Sequence, residues 1–175
     1  MEGAKKTKKV FLCVFAPLRD KLDFFTPSDT DRREALLEKM LQDPAHVVAT
    51  QAWFIKANED LREAEFVLTA SPPFIGSSLF HSGQAVEKAL KGFLTWHQVA
   101  FTTDDLEQLR MLCAGVDGSL GDVLLPVDQL TEYAWRFRYP NDLAEPEFDQ
   151  ATDTLRLAAA VVGAVLAKVV ADAQR

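Results

Sequence analysis

Phe80-His81-Ser82-Gly83-Gln84-Ala85-Val86-Glu87-Lys88-Ala89-Leu90-Lys91 decides the fold class. With Leu79 before it and Phe93 and Leu94 after it, Val86 and Leu90 form one apolar stripe at helical spacing. Ser77 or Ser78 can cap the start, and the pattern runs to about His97. Opposite that stripe, His81, Gln84, Lys88 and Lys91 recur at steps of three and four, so they share a second, polar face.

The same punctuation continues on both sides. Asp31 and Glu34 make a capping box ahead of Leu36, Leu37, Met40 and Leu41, and Pro44 is expected to close that short helix. Trp53, Phe54, Ala57, Leu61, Ala64 and Leu68 give a second stripe, stopped by Pro72-Pro73. Further helical patterns cover Asp104–Cys113 and, after a Gly-rich loop, Val127–Phe137. A last helix spans about Glu147–Ala171, with Phe148, Ala151, Leu155, Ala158, Val162, Val165 and Val169 inward. Strand signals are confined to residues 10–16. The fold class is all-α, an antiparallel up-and-down bundle of four or five helices with a short N-terminal extension.

Composition sets the outer limits. The 175 residues are 48% apolar and 26% charged, an ordinary globular balance, and need no disulfide or metal to hold a core. Cys13 and Cys113 lie far apart, and His46, His81 and His97 are the only histidines, so no metal or cofactor is expected. The net charge of −7 is unevenly spread, with +1 over residues 1–45 and −8 over residues 46–175. This divides the chain into an extension, 1–45, and a helical domain, 46–175. The basic, then apolar head imitates a signal peptide, but Pro17 spoils the cleavage site, so a cytoplasmic location is expected. Leu157–Ala167 is too short to span a bilayer, and no membrane association is expected.

Two clusters carry candidate chemistry. The face of His81, Gln84, Lys88 and Lys91 suits an anion or phosphate edge. The plainer reading, favoured by spacing alone, is a solvated polar face with Glu87–Lys91 as a surface pair. Arg136-Phe137-Arg138-Tyr139-Pro140 ends a helix, where arginines complement the dipole or grip phosphate. Both accounts stand.

The Phe80–Lys91 segment resembles the hallmark of the HEPN family, the higher-eukaryote and prokaryote nucleotide-binding domains. Trp53–Leu68 resembles the family's first helix, Thr103-Asp104-Asp105-Leu106 its Thr-His-Asp-Leu segment, and Arg138-Tyr139-Pro140 its Arg-Tyr-Pro element. The resemblance implies a bundle, often a homodimer, that pairs with a nucleotidyltransferase-like protein in toxin–antitoxin or defence settings. Many relatives are RNases with an Arg followed, after four to six intervening residues, by His. Here no arginine precedes a histidine at that spacing, and Asp104 stands where the family usually has His. The expectation is a non-catalytic binding module, contacting nucleotide through His81, Gln84, Lys88, Lys91, Arg136, Arg138 and Tyr139. One alternative is a divergent metal-independent RNase using His81 or His97 with Arg138, the only case in which RNA is a partner. The other is a purely structural interaction domain.

Overall fold

The computed structural model describes residues 44–130 and 146–173. These form an all-α bundle dominated by three long helices: α1 (Pro44–Leu68), α2 (Ile75–Trp96) and α5 (Phe148–Ala173). Two shorter ones, α3 (Leu106–Val116) and α4 (Gly121–Leu124), lie between α2 and α5 in sequence. The expected helix around Leu36–Leu41 and most of that expected over Val127–Phe137 lie outside the described residues, although residues 128–130 are helical.

Pro44 opens α1, and the short helix it is expected to close lies outside the described residues. The first helical position suits proline, because the backbone N–H it lacks has no intrahelical acceptor there. The turn after α1 is closed by Phe74 N donating to Val67 O at 3.1 Å. α2 then starts at Ile75, with no side-chain cap. Ser77 and Ser78 are therefore inside the helix, and Ser78 is fully buried. Packing against α1, rather than a capping hydroxyl, sets where α2 begins.

α1 and α2 run antiparallel, and their contact is close because small residues line it. Ala57, Ala64, Ala85 and Ala89 are fully buried. A Cβ on Gly92 would lie 2.9 Å from Phe54 Cε2 and 3.1 Å from Trp53 Cβ, so only glycine lets α1 approach at this level. At the far end, His46 Nε2 lies 2.9 Å from Thr95 O, and the His46 ring meets Trp96 at 5.3 Å. Both nitrogen-to-carbonyl bond and ring contact fix the start of α1 to the end of α2.

α5 lays Ala158, Val161, Val162, Val165, Leu166 and Val169 into the same core as Val86, Leu90, Phe93 and Leu94 of α2. The C-terminal ends of α2 and α5 meet, with Ala173 against Trp96, so the two helices run in the same direction. Phe148, expected inward, is 49% exposed because it occupies the first turn, beyond the reach of this core. α5 as a whole is long and apolar enough to cross a membrane by length and composition, longer than its Leu157–Ala167 stretch suggests. That test is also met by core helices, and α5 gives one face to the core.

α3 is capped by Asp105, whose carboxylate accepts from Gln108 N at 2.9 Å. The Gly-rich stretch that follows is not an open loop. It folds as single helical turns that send Leu120, Leu124 and Val127 into the core. Asp117 anchors this segment, accepting from Ser119 N at 2.9 Å and Ser119 Oγ at 2.6 Å, with Lys168 of α5 3.1 Å away. These bonds and Lys168 hold its carboxyl down at about 2.

Candidate functional site

A polar seam runs along the α1–α2 contact. Asp60 sits in the apolar stripe of α1, between Ala57 and Ala64, and is 8% exposed. A carboxylate so placed needs partners, since burying it alone costs several kcal/mol, roughly. α2 supplies two. His81 Nδ1 lies 3.0 Å from Asp60 Oδ1, and Lys88 Nζ donates to Asp60 Oδ2. Glu63, one turn along α1, brings Oε2 to 3.3 Å from the same His81 nitrogen. The Phe80 ring meets the imidazole edge-on at 5.2 Å.

One turn further along α2 the seam continues through Gln84, whose amide donates to Glu87 Oε2 at 2.9 Å. Glu87 Oε1 accepts from Lys91 at 2.7 Å, and Lys91 also donates to Asp104. Lys91 is 6% exposed and its ammonium stands 5.5 Å from the Trp53 ring centroid. Burial works against its charge, but the bonds to Asp104 and Glu87 outweigh burial and leave its pKa above the ordinary lysine value. Trp53 is held in turn by an edge contact with Phe101, 6.2 Å between centroids.

The stripe of His81, Gln84, Lys88 and Lys91 is thus one surface, as its spacing requires, but it is not a solvated face. It lies against α1 and residue 104, and Glu87–Lys91 is an inward pair, 14% and 7% exposed. The plainer reading fails because helical phase alone says which residues share a face, not what that face meets. Arg136, Arg138 and Tyr139 lie outside the described residues. His97 is elsewhere: sixteen positions along α2 put it about 24 Å from His81. Its Nε2 is 3.2 Å from Asp172 Oδ2, and its ring packs on Phe93 at 4.4 Å. The two histidines do not share a site within one chain.

Asp60 and Glu63 were absent from the sequence-derived site. Asp60 left a signal, a carboxylate inside an otherwise apolar stripe. Glu63 left none, being one acidic residue among several on an exposed helix face.

The family model for the HEPN domain matches residues 50–169, most of the chain. The chain belongs to the HEPN family. No curated protein matches this HEPN domain, and no solved structure matches it. The matched span begins within α1 and ends near the end of α5, so it takes in the whole seam. Asp104 serves here as a partner for the buried Lys91.

Chemically the seam offers a histidine oriented by a carboxylate. With the proton on Nδ1 donated to Asp60, Nε2 is the basic nitrogen, and it makes no hydrogen bond to a described residue. Lys88 donates to the second oxygen of Asp60.

Proposed function

We propose that this HEPN domain is a cytoplasmic, non-catalytic binding module. It forms a homodimer and pairs with a nucleotidyltransferase-like partner, in a toxin–antitoxin or defence setting, with nucleotide as the ligand of the His81–Lys91 face. One observation carries this reading. Lys88 is held by Asp60, and Lys91 by Glu87 and Asp104. Metal-independent RNA cleavage needs a cation poised for charge developing on the phosphorane, and these two cations are already neutralised inside the fold. Binding makes a smaller demand. The Asp104 side chain is 85% exposed, so a phosphate oxygen can take its place on Lys91 without unfolding the seam. Gln84 and His81 continue the same face two and three turns back along α2, and Arg136, Arg138 and Tyr139 are the further proposed contacts.

Affinity purification of the full chain from its native host, with identification of co-purifying protein and nucleotide, tests this reading. The expected result is a stoichiometric protein partner and a rise in melting temperature on adding nucleotide. Recovery of the chain alone, with no nucleotide-induced shift, overturns it and leaves a structural interaction domain.

A second reading rests on the Asp60–His81 pair, which leaves Nε2 free to act as a general base in a divergent RNase. The cation then has to come from Arg138. Purified protein would degrade RNA in chelator, and His81→Ala or Arg138→Ala would not. Intact RNA under those conditions removes this reading.

A further inference from the structure

We propose that Asp60, Glu63 and His81 form a binding site for a divalent first-row transition-metal ion, with Zn2+ as its best fit. The ligand atoms of these three residues all lie within 4.8 Å of one another. Two of the separations, 3.0 Å from Nδ1 to Asp60 Oδ1 and 3.3 Å from Nδ1 to Glu63 Oε2, have a specific meaning. Donors each about 2.1 Å from one ion, at octahedral or tetrahedral angles, stand about 3.0–3.4 Å apart. Both carboxylate oxygens therefore already stand at the spacing of neighbouring donors from His81 Nδ1, and the two lie within 4.8 Å of each other.

Hydrogen bonding inside the cluster does not account for all three. His81 Nδ1 carries at most one proton, and it is Asp60 that makes the hydrogen bond. Glu63 faces the same nitrogen with no hydrogen bond of its own, although its side chain is 59% exposed and free to turn into water. Lys88 compensates Asp60, on the oxygen turned away from His81, and forms no ion pair with Glu63, which Lys56 attracts only from a distance. A cation between the three donor atoms would meet both carboxylates directly. Lys88 then has the role of an outer partner that orients a metal-bound carboxylate through its second oxygen.

The donor set limits the ion. One imidazole nitrogen with two carboxylate oxygens favours zinc over magnesium, which prefers oxygen alone. Three protein donors leave at least one position for water or a ligand oxygen. Binding uses the Nδ1 lone pair, so the proton of the neutral imidazole resides on Nε2 in the loaded form. The exchange of tautomers releases no net proton. Acid that protonates the ring opposes binding.

The test uses zinc ion alone on the full-length protein, so it depends neither on a protein partner nor on nucleotide. Calorimetric titration of metal-free protein is expected to give one saturable zinc per chain. Glu63→Gln, at an exposed side chain that leaves the core untouched, is expected to weaken that binding at least tenfold. Glu65→Gln, a neighbouring exposed carboxylate outside the cluster, is expected to bind as wild type does. Failure of the wild type to bind zinc saturably overturns the proposal, and so does binding that Glu63→Gln leaves unchanged.

Discussion

Asp60 Oδ1 and His81 Nδ1 stand 3.0 Å apart, joining the middle of α1 to the first half of α2 across 21 positions of sequence. The same carboxylate binds Lys88, so a single acidic residue ties two turns of α2 to α1. Geometry and stability meet at this point, because whatever the face of α2 does, Asp60 holds it in place.

Replacing Asp60 should therefore cost more than a surface substitution does. Asp60→Ala leaves the half-buried Lys88 ammonium without its partner and His81 without its acceptor. A loss of about 2–4 kcal/mol is expected in urea denaturation. Lys56→Ala, at an exposed i,i+3 pair with Glu59, should change stability by less than about 0.5 kcal/mol. Equal effects of the two would contradict the anchoring role.

Two glycines should respond in opposite directions. Gly92→Ala places a methyl group against Phe54 and Trp53, and overpacking of about 1–3 kcal/mol exceeds the gain in helix propensity. In the middle of α5, a Cβ on Gly163 meets nothing within 4 Å, so Gly163→Ala should stabilise by roughly 0.5–1 kcal/mol. Thermal melts of the two variants check the contrast.

Asp117 should give the fold part of its acid sensitivity. A carboxyl held down at about 2, against 3.8 ordinarily, stabilises the folded state fully above the ordinary value. That contribution fades as pH falls from 3.8 through about 2 and is gone only below that, where both states are protonated. The stability gap between wild type and Asp117→Asn is thus expected to be widest above about pH 5 and to narrow through about pH 2 towards its minimum below that. A gap independent of pH would show that the carboxylate charge plays no part.

Cys113 should be chemically silent in the folded protein. It is fully buried, its thiol faces Leu90 O at 3.7 Å, and burial pushes its pKa up to about 12. In a Cys13→Ser background, a thiol reagent at neutral pH should label Cys113 only after denaturant is added. Rapid labelling of the native protein would contradict its burial.

The sequence reads well where structure is local. The stripe of Leu79, Val86, Leu90, Phe93 and Leu94 is buried as a set, because a helix of fixed pitch puts those positions on one side. Asp105 caps α3 for an equally local reason, the reach of its carboxylate to Gln108 N. Local rules misassigned Ser77 and Ser78, where the same residue type suits more than one position. Serine can cap a helix or be buried within it.

By itself, then, the sequence determined the long helices among the described residues, most of their core faces, the family and the sharing of one face by His81, Gln84, Lys88 and Lys91. Only the tertiary structure decided what that face meets. Asp60, Glu63 and Asp104 reach it from other segments, and the spacing of α2 holds no information about a neighbour's rotation or depth. Because charge is expensive to bury alone, the fold resolves the stripe into paired ions, and that pairing fixes which chemistry the face retains.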